Sequence, residues 1–93
     1  MDELSVFCVS YDLRAPGRNY EDLYNAIRAF GTWWHQTESV WLIASSKGTV
    51  EIRDYLTQFT DSNDKLFVIE VKRHWAGKGF NKEEYDWLKD NLK

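Results

Sequence analysis

The apolar segment Ser5–Tyr11 constrains the fold more than any other part of the chain, because it predicts a β-strand that is apolar on both faces. Successive side chains of a strand point to opposite sides of a sheet. The two faces carry Phe7, Val9 and Tyr11 on one side and Val6, Cys8 and Ser10 on the other. Any sheet that contains this strand therefore needs a cover on both sides.

Strand and helix patterns alternate along the remaining chain. They predict a helix over Tyr20–Phe30, a hairpin of Thr32–Gln36 and Ser39–Ala44, a helix over Val50–Phe59, a strand over Lys65–Val71 and a last helix after Asn81. This β-α-β-β-α-β order with a C-terminal helix is the ferredoxin-like arrangement, an α+β fold with an antiparallel four-stranded sheet. A chain of 93 residues is expected to form one domain, residues 1–93.

Two of the predicted helices carry start signals. Asn19 is a candidate N-cap of the first helix. Asn81 and Glu84 match a capping box at the start of the last helix, and Phe80 with Tyr85 fits a hydrophobic staple.

The second face of the sheet needs a cover that the two central helices do not provide. In the ferredoxin-like arrangement both helices lie on one face, and a face left open to water is normally polar. The third and fourth predicted strands of this chain are also apolar on both faces. We therefore predict a homodimer in which a second copy covers the open face, with a contribution from the C-terminal helix.

Charge and cysteine content narrow the classes of function. The formal net charge of −3 argues against nonspecific binding to a nucleic-acid backbone, although a local basic patch can offset it. The single cysteine, Cys8, permits no disulfide within the chain and favours a reducing cytoplasm. No run of the sequence is long enough to span a membrane, so we expect no membrane partner.

Asp12 ends the first predicted strand and is the leading candidate for catalysis and for metal binding. A carboxylate at the end of a strand is held rigidly yet reaches solvent. It can therefore hold Mg²⁺, with water and phosphate oxygens as further ligands, and a homodimer would supply a second Asp12. The other interpretation, favoured when the residue is considered alone, is that Asp12 caps the turn that follows it.

Two groups of basic residues are candidate nucleic-acid contacts. They are Arg14 and Arg18, then Lys72, Arg73 and Lys78. The first group lies in the loop after the candidate carboxylate, where it can neutralise phosphates. The second group follows the fourth strand as the one basic run of the sequence. A solvated loop and a charged end to an edge strand explain the same residues, so both interpretations stay open.

The predicted hairpin carries the densest aromatic cluster, consisting of Trp33, Trp34, His35 and Trp41. Exposed rings of this kind stack on nucleobases, and His35 can act as an acid or a base near neutral pH. Strand alternation puts Trp33 and His35 on one face and Trp34 on the other. The same rings also fit a sheet core and a dimer interface, which we favour because a small domain needs that buried area.

Several blocks taken together resemble the small bacterial and phage proteins known as SinR-like. These blocks are Ser10-Tyr11-Asp12-Leu13, Trp33-Trp34-His35, Ser39-Val40-Trp41-Leu42-Ile43, and Asp61-Ser62-Asn63-Asp64 with Leu66-Phe67-Val68. The resemblance covers nearly the whole chain and implies no settled activity. Considered alone, the segment 61–64 predicts a turn, since it lacks the glycine and the glutamate of a calcium loop.

More distantly, the strand ending in Tyr11 and Asp12 and the ferredoxin-like order are similar to CRISPR-associated spacer-acquisition endonucleases and VapD-type ribonucleases. This similarity implies that Asp12 binds Mg²⁺ in a dimeric site. We therefore expect a homodimeric, metal-dependent endonuclease that acts on RNA or DNA. The alternative is a dimer without catalytic activity that binds a nucleotide, a nucleic acid or a protein through the aromatic hairpin and the basic run. The sequence identifies no protein partner.

Overall fold

A computed structural model describes residues 4–14 and 19–93, which form seven elements in the order β-α-β-β-α-β-α. The elements are β1 (Ser5–Asp12), α1 (Glu21–Arg28), β2 (Trp33–Thr37), β3 (Val40–Ser45), α2 (Thr49–Thr57), β4 (Lys65–Val71) and α3 (Lys82–Asn91). Each predicted strand and helix is present, and the predicted ends differ from the observed ones by roughly two residues at most, the usual uncertainty of a helix or strand end.

The four strands form one antiparallel sheet in the order β2-β3-β1-β4. β1 lies between β3 and β4, so its side chains occupy the middle of both faces. These observations confirm the predicted α+β class with a four-stranded antiparallel sheet.

The first face of the sheet is covered by α1 and α2. The main core consists of Phe7, Val9, Tyr20, Leu23, Ala26, Ile27, Trp41, Ile43, Ile52 and Leu56. In α1, Leu23 and Ile27 are one helical turn apart and therefore face the sheet together. Burial of each side chain contributes about 1.5–3 kcal/mol, which holds a helix too short to be stable alone. The prediction of Asn19 as the N-cap is wrong, because Tyr20 occupies that position, although Asn19 Oδ1 still accepts a hydrogen bond from the Glu21 N–H at 2.9 Å.

α3 covers part of the second face, as the sequence predicts for the C-terminal helix. The core on this side consists of Val6, Trp34, Ala44, Leu88 and Leu92. The indole Nε1 of Trp34 donates a hydrogen bond of 3.0 Å to the backbone oxygen of Glu84. The edge strand β2 and the helix are thereby joined by a directional contact as well as by apolar packing.

None of the described elements covers the rest of the second face. Its side chains, which we call the open patch, are Cys8, Ser10, Val40, Phe67 and Ile69. Phe67 is 59% exposed and Ile69 is 46% exposed. They lie in register with Ser10 and Cys8, respectively, so the exposed rows of β4 and β1 are neighbours. A contiguous apolar surface of this kind marks an interaction site.

The start of α3 has the predicted capping box. Asn81 Oδ1 accepts from the Glu84 N–H at 2.9 Å, and Glu84 Oε1 accepts from the Asn81 N–H at 2.8 Å. The rings of Phe80 and Tyr85 meet edge to face, with centroids 5.6 Å apart, as the staple predicts. Both contacts fix the point where the chain turns back over the second face.

The longest of the described helices, α3, has 10 residues. None of the helices in the described ranges is long and apolar enough to cross a bilayer, which takes about 20 residues.

Replacing Asn81 with alanine is expected to lower the free energy of unfolding by about 1 kcal/mol, because the Glu84 N–H loses its acceptor. The measurement is chemical denaturation followed by circular dichroism. Asn63→Ala, in the exposed turn before β4, is the matched control and should change little. Equal effects of the two substitutions would show that the cap does not hold α3.

Candidate functional site at the end of β1

Asp12 is the last residue of β1 and lies on the second face, next to the open patch. Its side chain is 54% exposed. In the sheet register it stands opposite Lys65, the first residue of β4. A shallow cleft of about 340 Å³ is lined by Ser10, Tyr11, Asp12, Lys65, Leu66 and Phe67. The carboxylate therefore reaches solvent at the rim of an apolar surface.

Arg14 binds Asp12 directly. The Arg14 Nε and Nη2 atoms donate to Asp12 Oδ2 at 2.9 and 2.6 Å. Both side chains are more than half exposed, so this ion pair contributes at most about 1 kcal/mol to stability. Lys65 stands opposite Asp12 in the sheet register, although Arg14 is the residue that forms the ion pair. An arginine and a lysine near the end of one strand can hold the oxygens of a phosphate group.

Asp64 fixes the start of the loop that carries Arg14. Its Oδ1 accepts from the Arg14 backbone N–H at 2.6 Å. Its Oδ2 lies 2.8 Å from the donating hydroxyl of Tyr20 and 2.7 Å from the N–H of Asp61. The Asp64 N–H donates to the Asp61 oxygen at 3.1 Å, which confirms the predicted turn. The Asp64 carboxylate thus connects the C-terminal end of β1, the start of α1 and the turn before β4.

The alternative prediction, that Asp12 caps the turn after it, concerns residues 15–18 and falls outside the described residues. Among the residues that the structure describes, Asp12 receives its hydrogen bonds from the side chain of Arg14, and the Arg14 backbone N–H goes to Asp64. Sequence reasoning missed Asp64 because it lies 50 positions away from Arg14. The one local signal was the turn predicted over residues 61–64, which does not show what Asp64 contacts.

The predicted basic groups are not brought together in one protomer. Lys72 and Arg73 line a cleft of about 430 Å³ at the opposite end of the sheet from Asp12. Seven residues at about 3.3 Å each separate Lys72 from Lys65, so the distance along β4 is roughly 20 Å. Lys78 is exposed in the segment between β4 and α3. The prediction for Arg18 falls outside the described residues.

The predicted stacking residues divide into two pairs. Trp34 is 7% exposed and Trp41 is 1% exposed. A buried ring offers no face to a ligand, so the core interpretation applies to these two, and we remove them from the predicted stacking set. Trp33 remains 39% exposed, and His35 is half-buried. As the alternation predicts, Trp34 lies on the face opposite to the Trp33 and His35 side chains.

The His35 ring is held in one orientation. It stacks parallel to the Trp41 ring at 3.8 Å with an interplanar angle of 3°. Its Nδ1 lies 2.9 Å from the backbone oxygen of Val40. Because a carbonyl oxygen can only accept, Nδ1 carries the proton, and Nε2 is the acceptor in the neutral ring. Sequence reasoning also missed Arg28, whose Cζ lies 5.6 Å from the Trp33 centroid and 5.3 Å from the Trp41 centroid.

Two further ionisable side chains, Cys8 and Tyr11, stay protonated near neutral pH. Burial raises the pKa of the Cys8 thiol above its ordinary value. Burial also raises the pKa of Tyr11, whose hydroxyl accepts from Trp41 Nε1 at 3.0 Å. Both protons are therefore held more tightly than on the exposed side chains.

A metal ion at Asp12 would need ligands from outside one protomer. Among residues 4–14 and 19–93, no group of three or more His, Cys, Asp and Glu side chains could hold a metal ion. Mg²⁺ commonly binds through one or two carboxylates and completes its octahedron with water and phosphate oxygens. A second copy of Asp12 fits that requirement.

No protein-family model matches this chain, and no solved structure matches it. Function is therefore inferred from the arrangement of side chains around Asp12.

Replacing Tyr20 with phenylalanine is expected to lower the free energy of unfolding by about 1–2 kcal/mol, because the Asp64 carboxylate loses a donor. The measurement is urea denaturation at neutral pH. Tyr55→Phe, which removes a hydroxyl from an exposed ring on α2, should leave stability nearly unchanged. If Tyr20→Phe is as stable as this control, Asp64 does not organise the loop in the way described.

Proposed function

We propose that this protein is a metal-dependent endonuclease that hydrolyses phosphodiesters as a homodimer. The observation that carries the proposal is the position of Asp12, exposed at the end of β1, paired with Arg14, opposite Lys65 in the sheet register and beside the open patch. The activity is proposed for RNA or DNA, in the cytoplasm. The single, half-buried Cys8 supports that location, because a chain with one thiol forms no internal disulfide.

We also propose that the fold is the ferredoxin-like arrangement. The element order, the antiparallel pairing and the central position of β1 and β3 support this assignment. With it we propose the relationship to SinR-like proteins and, more distantly, to spacer-acquisition endonucleases and VapD-type ribonucleases. In that relationship Asp12 occupies the position of the metal-binding aspartate.

The proposed dimer stacks two open patches face to face. Phe67 and Ile69 are then removed from water, at about 25 cal/mol per Å² of apolar surface. Asp12 lies on the same face of β1 as Ser10, so a twofold axis near this end of the strand brings two Asp12 residues together. Pairing of two β4 edges instead would extend the sheet but leave both patches exposed.

The residues around the proposed dyad suit phosphodiester chemistry. Two ionised Asp12 carboxylates at close range would repel each other, and a divalent cation held by both would remove that repulsion. Mg²⁺ would supply charge neutralisation on the phosphate and lower the pKa of a bound water. Lys65 and the Arg14 donor that does not bond to Asp12 would contact the phosphate oxygens, and Asp64 keeps the Arg14 backbone in position. For Arg18, the second predicted clamp, the proposal rests on the sequence alone.

A second function, binding without cleavage, is favoured by the basic cleft at the other end of the sheet. Lys72 and Arg73 lie roughly 20 Å from Asp12 along β4, too far to assist one metal site in the same protomer. In this function the cleft would bind nucleic acid, and Asp12 would be a structural residue. Cleavage and binding assays on the same substrates separate the two functions.

Asp12→Asn is expected to reduce Mg²⁺- or Mn²⁺-dependent cleavage of labelled RNA or DNA by at least about a hundredfold, because the amide no longer holds the metal. Asp54→Asn is the matched control. Asp54 is similarly exposed and also pairs with an arginine, Arg53, at 2.8 Å. The control should cleave at the wild-type rate.

Equal cleavage by wild type and Asp12→Asn would contradict the endonuclease proposal. Absence of cleavage in both, with nucleic-acid binding retained, would favour the second function.

Phe67→Lys is expected to shift the protein from dimer to monomer at micromolar concentration, because a charge would be buried in the patch. Tyr55→Lys is the control, since Tyr55 is 43% exposed and lies on α2, which covers the opposite face of the sheet. Light scattering coupled to gel filtration measures both. A dimer that survives Phe67→Lys, or a wild-type monomer, would contradict the proposed interface.

A further inference from the structure

A second surface lies on the other face of the sheet, beside the edge strand β2. It is formed by Trp33, His35 and Arg28, which we call the Trp33 platform. Trp33 is in register with Ile43 of the main core, so the platform and the Asp12 side chain occupy opposite faces. None of these three residues takes part in the proposed hydrolysis.

The Trp33 ring is partly open to solvent on a rigid support. Its centroid lies 5.4 Å from that of Trp41, which is buried in the main core. Because Trp41 is fixed by the core and stacks on His35 at 3.8 Å, the exposed ring cannot turn freely into the protein. A large planar apolar surface is thus presented to water at the edge of the sheet.

Arg28 places a positive charge over one side of this ring, with its Cζ 5.6 Å from the Trp33 centroid, and leaves the solvent-exposed part of the ring for a ligand. One guanidinium nitrogen, Nη1, donates to Asn25 Oδ1 at 3.0 Å. Within the described residues Arg28 forms no ion pair, unlike Arg14 and Arg53. A guanidinium presents five N–H donors, so most of the Arg28 donors remain for an anionic ligand.

His35 adds a directed polar atom. Its Nδ1–H is taken by the Val40 oxygen, and the ring is clamped against Trp41. The remaining nitrogen, Nε2, accepts a hydrogen bond from a neutral ligand group and donates one when the ring is protonated. The three side chains together offer an aromatic face, a cation and a hydrogen-bonding atom.

We propose that the Trp33 platform binds single-stranded nucleic acid, with a base stacked on Trp33 and the adjoining phosphate on Arg28. A nucleotide unit is the ligand class that combines a flat ring with an anion a few ångströms away. Bases in a duplex are stacked on one another, so an unpaired strand fits the exposed ring. This inference goes beyond the proposed hydrolysis, and the binding does not require Asp12 or a metal.

The platform also dictates how binding responds to salt. Arg28 supplies the one cation of the platform, and the net charge of the chain is −3. The logarithm of affinity for a single strand falls with a slope of about −0.7 for each phosphate neutralised. A slope of about −0.7 is therefore expected, whereas binding in the basic cleft, with several Lys and Arg residues, gives a steeper one.

The test measures fluorescence anisotropy of a fluorescein-labelled, mixed-sequence 12-nucleotide strand, as RNA, as DNA and as a duplex, in EDTA. Trp33→Leu keeps apolar bulk against Trp41 but removes the aromatic face, and should weaken single-strand binding about tenfold or more. Arg28→Ala should weaken it by a similar factor and flatten the salt dependence. Tyr55→Leu and Arg53→Ala, an exposed ring and an exposed arginine on α2, are the controls and should bind as wild type.

Wild-type affinity in Trp33→Leu would overturn the inference, as would equal affinity of wild type for duplex and single strand. Trp33→Phe is a milder change and is expected to bind with intermediate affinity. Circular dichroism of this variant checks that weaker binding does not result from unfolding. Asp12→Asn should bind the single strand with wild-type affinity. Strand binding at the Trp33 platform is therefore tested independently of the endonuclease proposal. Loss of binding only in Lys72→Ala or Arg73→Ala would assign the strand to the basic cleft instead.

Discussion

The burial of β1 between β3 and β4 is the constraint on which the rest of the molecule depends. Phe7, Val9 and Tyr11 join or pack against the core under α1 and α2, and Val6 joins the core under α3. Beyond Val6, the even-numbered side chains of β1 reach the open patch and end at Asp12. The hydrophobic effect that fixes the strand therefore also holds a carboxylate at the rim of an uncovered apolar surface. The central position of β1 in the sheet therefore determines both the fold and the location of the candidate site.

Around that strand, a few polar contacts decide what the surface can bind. Asp64 anchors the loop after β1, so Arg14 stands beside Asp12. On the other face, the His35 contact with Val40 and the stack on Trp41 support the Trp33 platform. The proposed hydrolytic site and the proposed strand-binding surface are thus built on separate faces by separate contacts. A single strand would have to pass around the sheet edge to occupy both in one protomer.

Local chemistry made much of this predictable from the sequence. The spacing of apolar residues predicted the strands and helices, and Asn81 with Glu84 predicted the start of α3. These signals are readable because the residues that form them lie close together in the sequence. The role of Asp64 depends on a contact across 50 positions, which no local pattern reveals. The extent of the cover by α3 depends on where Trp34 meets the helix. The separation of Lys72 from Asp12 follows only from the strand register.

The central claim is that two Asp12 residues meet across stacked open patches and share a divalent ion. Calorimetric titration with Mn²⁺ tests it most directly, with wild type, the monomerising Phe67→Lys variant and Asp12→Asn compared at equal concentration. The account predicts about one ion for every two chains in wild type, and loss of that binding in both variants. Binding that persists in a monomeric Phe67→Lys protein, or in Asp12→Asn, would contradict it.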